Sequence, residues 1–211
     1  MRFECLVLIA GNEPLFETGL LLTPPADPAD VHRQLTRWAA NGRVVQLRRG
    51  LYALAPPWRK HLPHPFLTAN RLVPGSYVSG LSALAFAGAI PEYVPEVTSV
   101  ARGRSHSRRT PLGRFSFRHI KPALHFGYRH VELGNDQSAF VARPEKALLD
   151  FVHQRPGGDR QEHLRELRLN FDALDLDALD EAARVHGAPK LQRAATVVRR
   201  LAEGAGDYEP P

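Results

Sequence analysis

The chain has 211 residues, 43% of them apolar, and a net charge of +6, enough apolar content for one moderate core or two small ones and too much for a disordered polymer. Its one cysteine, Cys5, excludes an intramolecular disulfide, suits a reducing compartment and, lying in an apolar run, is expected in the core. No apolar run reaches the roughly 20 residues of a bilayer span, and no basic region followed by a long apolar stretch opens the chain, so a cytoplasmic protein with no membrane partner is expected.

In chain order, residues 3–10 read as a short apolar helix broken by Gly11-Asn12. Glu13-Pro14 is expected to open a second short helix through Leu22, followed by a turn over residues 23–26. Asp27 can cap a third helix with Pro28 in its first position, and Asn41-Gly42 supplies a stop. Val31, Leu35 and Trp38 recur at helical spacing. At about 100° per residue, Arg33, Thr36, Arg37 and Ala40 then lie opposite that stripe, with Gln34 on its flank. Such an outer face can donate hydrogen bonds to base edges and phosphates.

Residues 44–47 and 51–54 are β-prone runs around Arg48-Arg49-Gly50, where the glycine suits the left-handed position of a three-residue hairpin. A helix for the major groove followed by a hairpin with arginines at its tip is how a winged helix-turn-helix docks on a duplex. No acidic residue occurs between Val31 and Pro57, whereas Arg33, Arg37, Arg43, Arg48 and Arg49 do. A merely solvated face mixes signs.

Ala55-Pro56-Pro57-Trp58 marks a domain boundary. Beyond it, residues 64–72 and 79–88 read as helices, the second rich in small residues. Strands are predicted at 97–101, 114–120, 128–133 and 138–141, implying a small antiparallel sheet with helices on one side. Residues 143–152 form a helix opened by Pro144 and Glu145, in which Lys146 and Asp150 are placed for an i,i+4 pair. Packing accounts for most of that segment, with Glu145 and Lys146 as an exposed partner contact in the alternative. After Pro156-Gly157-Gly158, helices are predicted at 160–169, 176–185 and 189–201, with a frayed tail over 203–211. The expected fold class is α+β. A winged helix-turn-helix DNA-binding domain spans 1–57, a mixed α/β domain 58–155, and a helical extension 156–211.

Charge is unevenly spread: residues 1–57 carry +1, 58–131 carry +9 and 132–211 carry −4. The stretch 101–130 holds eight basic residues and no carboxylate. Arg102, Arg104, Arg108 and Arg109 are expected around a hairpin loop and, with Arg114 and Arg118, form a second basic surface that attracts polyanions.

Taken together, Leu47-Arg-Arg-Gly-Leu-Tyr-Ala53, then Tyr77-Val-Ser-Gly-Leu-Ser-Ala-Leu84, then Pro144-Glu-Lys-Ala-Leu-Leu-Asp150 resemble the antitoxin (AbiEi type) of the bacterial AbiE abortive-infection, type IV toxin–antitoxin systems. The resemblance runs through about residues 1–155 and is most specific at the hairpin and at 144–150. It implies a winged helix that binds inverted repeats in its own promoter and represses the operon. It also implies a second domain that counteracts a nucleotidyltransferase toxin, so the partners are double-stranded DNA and that toxin or its RNA target. It assigns no catalytic residue.

Other chemistry is poorly represented. The ten histidines contain no HExxH, one cysteine cannot build a thiolate zinc cluster, and there is no nucleophile elbow, Walker A loop or dinucleotide fingerprint. Neither a cofactor nor a metal is expected. A Mg²⁺-dependent nuclease using Glu132, Asp136 and Glu145 is the enzymatic alternative, but the paired carboxylates followed two residues later by a lysine on a strand are missing. A plain winged-helix regulator with a ligand-sensing or dimerisation domain is the other alternative.

Overall fold

The computed structural model describes residues 1–23 and 26–206. Pro24 and Pro25 of the predicted turn, and residues 207–211 of the predicted tail, lie outside that range. Eight α-helices and nine strands follow one another in the described chain. The first part contains α1 (Phe3–Ala10), β1 (Phe16–Glu17), a 3₁₀ turn (Thr18–Leu21), α2 (Pro28–Ala40), β2 (Val44–Arg48) and β3 (Leu51–Leu54). Then come α3 (Pro65–Leu72), β4 (Tyr77–Val78), α4 (Gly80–Phe86), β5 (Glu96–Ala101), β6 (His106–Thr110), β7 (Gly113–His119), β8 (Tyr128–Gly134) and β9 (Gln137–Ala142). Four helices end it: α5 (Pro144–Gln154), α6 (Gln161–Glu166), α7 (Leu176–His186) and α8 (Pro189–Gly206). The class is mixed α+β.

The first six elements enclose a core of Phe3, Leu6, Phe16, Val31, Leu35, Trp38, Tyr52 and Leu54. Their sheet is antiparallel in the order β1-β3-β2. The predicted second helix over 13–22 is instead strand β1 and a 3₁₀ turn, because Phe16 and Glu17 pair with Tyr52 and Leu51, and tertiary pairing overrides a weak local preference. Cys5 is exposed rather than buried. Phe3, Leu6 and Ala10 form the inward stripe of α1, which turns Cys5, Leu8 and Ile9 outward.

The second sheet has six strands in the order β6-β7-β5-β4-β9-β8. It is mixed, not antiparallel: β5/β7 and β4/β9 pair in parallel, a direction that strand periodicity does not encode. Ser99 and Val100, on opposite faces of β5, are both fully buried, so both faces are covered rather than one. Strand β6 replaces the predicted loop. Its sequence His-Ser-Arg-Arg-Thr has no apolar residue, as befits an edge strand that must discourage further pairing. The helices α6–α8 contribute Leu164, Leu179, Leu191 and Val198 to the same core as the sheet, and are therefore part of this body. Of the tail predicted to fray from 203, residues 203–206 close α8, and the remainder lies outside the described residues.

The two cores meet. Leu15, Leu47, Leu51 and Ala53 pack into the larger cluster with Phe66, Val97 and Phe115, so β2 and β3 lie between the two bodies.

At the turn between α7 and α8, both ring nitrogens of His186 are buried without a hydrogen-bond partner. Burial first, then the charges of His153 and Lys146, pushes its pKa down to about 4 from an ordinary 6.5. The unfolded chain then binds more protons between those values, so stability is full above about pH 6.5 and falls as the pH drops toward 4. His186→Phe is expected to lose less melting temperature between pH 7 and pH 5 than the wild type. Equal losses in a thermal scan would remove His186 as the source.

Candidate nucleic-acid interface

The outward face of α2 follows from its local chemistry. Asp27 accepts hydrogen bonds from the backbone N–H groups of Ala29 (3.2 Å) and Asp30 (3.3 Å), satisfying two of the orphan donors of the first turn. Burial of Val31, Leu35 and Trp38 then fixes the helix phase and leaves Arg33, Thr36 and Arg37 exposed, with Gln34 half-buried. The Thr36 hydroxyl donates back to the carbonyl of His32 (2.9 Å).

Asp30 moderates this face. Its carboxylate pairs with Arg33 at 3.3 Å and accepts from Gln34 Nε2 at 2.6 Å. The Arg33 hydrogen bond holds the Asp30 carboxyl below the usual range. Arg37 has no acidic partner among the described residues.

The hairpin arginines divide in the same way. Gly50 takes the left-handed φ of 81° that the turn needs, and β2 carries a bulge between Gln46 and Arg48. Arg48 does not project from the tip. Its Nη2 lies 3.2 Å from Glu17 Oε1, its Nε and Nη2 each donate to the carbonyl of Arg71 at 3.2 Å, and its side chain is only 24% exposed. It clamps the hairpin to β1 and to the end of α3. Arg49 is exposed and Arg43 stacks over Phe3, 4.9 Å from the ring centre. Counting signs along the sequence missed Asp30 and Glu17, which lie outside the acid-free stretch but beside it in space.

Were the hairpin a DNA contact, Arg49→Ala would be expected to lower the slope of log affinity for DNA against log salt by about 0.9, the value of one phosphate contact. Arg48→Ala should instead leave the slope near wild type and lower the melting temperature. Equal loss of slope in both variants would place Arg48 on phosphate after all.

The second basic surface is a strand pair rather than a splayed loop. Arg109 is opposite Arg114 and Arg108 opposite Phe115 in the β6/β7 register. Alternation then places Arg109, Arg114 and Arg118 on one face and Arg108 on the other. Arg108 Nη1 reaches the Leu47 carbonyl at 3.5 Å, on the side where the hairpin docks. Arg102 and Arg104, in the β5–β6 connection, are exposed.

The residues at 77–84 and 144–150 converge on one buried network. Asp150 Oδ2 accepts from the Tyr77 hydroxyl (3.0 Å) and the Ser79 hydroxyl (2.8 Å), while Oδ1 accepts from Lys146 Nζ (2.5 Å). Lys146 and Asp150 are 2% and 1% exposed. Burial, followed by the Asp150 charge, pushes the Tyr77 phenol far above its ordinary pKa, so it remains a donor. Lys146 Nζ also lies 4.9 Å from the Phe126 ring centre. Glu145 turns inward and accepts from the Asp175 N–H at 2.9 Å. Neither Glu145 nor Lys146 is the exposed partner contact entertained from sequence.

Glu145 is thus occupied, Glu132 faces His130 at 3.5 Å, and Asp136 sits in the β8–β9 turn with φ 55°. Among the described residues no group of three or more His, Cys, Asp or Glu side chains could hold a metal ion. Among them, too, no helix is long and apolar enough to cross a membrane.

No protein-family model matches the chain, and no curated protein matches it. The crystal structure of the RV2827C protein from Mycobacterium tuberculosis is similar in fold, with a TM-score of 0.55 and 18% identity over 92% of this chain and 75% of that one. A likeness at that identity speaks for the mixed α+β architecture alone.

Proposed function

We propose that the protein is a DNA-binding transcriptional autorepressor and an antitoxin that counteracts a nucleotidyltransferase toxin. In this reading residues 1–57 are a winged helix-turn-helix, with α2 as the recognition helix and the β2–β3 hairpin as the wing. The observation that carries it is the pairing of a firmly phased helix, whose outer face offers Arg33, Thr36 and Arg37, with an adjoining hairpin that offers Arg49. A helix and a cationic hairpin in succession match the major groove and its flanking backbone.

The antitoxin half rests on the resemblance to AbiE antitoxins. What supports it is that two of the three stretches carrying that resemblance, far apart in sequence, supply the four members of the Tyr77–Ser79–Lys146–Asp150 network. The protein is cytoplasmic and takes no cofactor in this reading. Footprinting on the DNA upstream of its own gene tests the repressor half: a protected inverted repeat is expected, and uniform, sequence-independent protection would overturn it. Co-expression with a nucleotidyltransferase encoded beside it tests the other half, with growth rescue as the expected result.

A further inference from the structure

We propose that the cleft bounded by Thr98 of β5, the end of β7, the start of α4 and the last turn of α5 is a binding site for a nucleoside phosphate. This site is separate from the α2–hairpin surface and does not depend on the DNA-binding reading. The cleft has a volume of about 600 Å³, within the roughly 300–1,000 Å³ range of small-molecule sites. It lies over the face of the parallel β5/β7 pair that carries Thr98, Ser116 and Arg118.

Part of the wall is cationic. Arg118 and Arg155 line it, beside His119 and His153, the latter held below its ordinary pKa by burial, and none of the lining side chains is acidic. Arg118 makes no ion pair among the described residues, and Arg155 meets only Glu166, at 4.0 Å. Cations gathered in a concavity with so little compensation repel one another, and a bound phosphate offsets that repulsion.

The wall is also held in place. His119 Nδ1 lies 3.1 Å and 3.0 Å from the carbonyls of Arg102 and Gly103, and the His119 backbone N–H donates to Ser105 Oγ at 2.8 Å. These bonds tie the β5–β6 connection to the end of β7 and leave Nε2 of His119 uncommitted. Arg109 and Arg114, on the same sheet face as Arg118, extend the positive field along the approach.

Leu81, Phe151 and Pro156 add an apolar part to the lining, the last two from the same end of α5 as Arg155. The Arg155 guanidinium lies 5.7 Å from the Phe151 ring centre, a planar pair against which a base can stack. An inorganic anion would use only half of this cleft. A phosphate joined to a flat, partly apolar group uses both the arginines and the apolar lining, and a nucleotide has that chemistry, whether free or at the end of a nucleic-acid strand.

The test is calorimetric titration of the full chain with ADP, with inorganic pyrophosphate, and with a 5′-phosphorylated single-stranded trinucleotide. Saturable binding of ADP or of the trinucleotide is expected, with the tighter of the two identifying the source. Arg118→Ala and Arg155→Ala, both at exposed positions, should each weaken it at least tenfold with unchanged melting temperature. Phe151→Leu should weaken ADP but not pyrophosphate, and Arg37→Ala on α2 should leave ADP affinity at the wild-type value. Three results would overturn the site: no saturable binding of either nucleotide at millimolar concentration, wild-type affinity in Arg118→Ala, or pyrophosphate binding as tightly as ADP.

Discussion

Replacing Asp150 by alanine is expected to destabilise the fold by about 3–5 kcal/mol, the typical cost of stranding one partner of a buried ion pair. Lys146 would be left without its counter-ion in a site that is 2% exposed, and the Tyr77 and Ser79 hydroxyls would lose their common acceptor. Lys146→Met together with Asp150→Leu should lie closer to wild type than either single change, since an apolar pair removes the desolvated charges as well as their attraction. Urea unfolding of the two singles and the double measures this. Singles that cost less than about 1 kcal/mol would mean that the network is solvated and contributes little.

The second large effect concerns sequence preference. Arg37→Ala should reduce discrimination between operator and scrambled DNA by about 1–3 kcal/mol, the value of one bidentate arginine–guanine contact. Arg33→Ala should cost less, because Arg33 is already shared with Asp30 at 3.3 Å and must partly release that partner to reach a base. Asp30→Asn is then expected to raise affinity for DNA of any sequence. Competition binding with operator and scrambled duplexes separates the outcomes, and equal discrimination in wild type and Arg37→Ala would remove α2 as the reading element.

Much of the helical architecture was legible because its signals are local. Asp27-Pro28, the stripe of Val31, Leu35 and Trp38, and the left-handed Gly50 each act within a few residues, and α2 and the hairpin form where they specify. Non-local pairing was not legible. Strand β1 exists only because β3 is beside it, β4 is two residues long, and β6 is polar because it is an edge. The basic residues themselves were evident, but their availability was not. Arg48 is withdrawn by Glu17 and a carbonyl 23 positions away, partners that no window of sequence brings together. The cationic cleft was not legible for a similar reason, since Arg118 of β7 and Arg155, just past the end of α5, are separated by β8, β9 and α5.

The docking of the hairpin has a mechanical consequence. Wings on tethered modules can swing to suit the duplex they meet, but here Leu47, Leu51 and Ala53 are embedded in the neighbouring core and Arg48 is bolted to the end of α3. The angle between α2 and the hairpin is therefore set by the whole molecule. In the proposed DNA-binding role a duplex would have to bend to this protein rather than the protein to the duplex, so the stiffness of the DNA would become part of what is read.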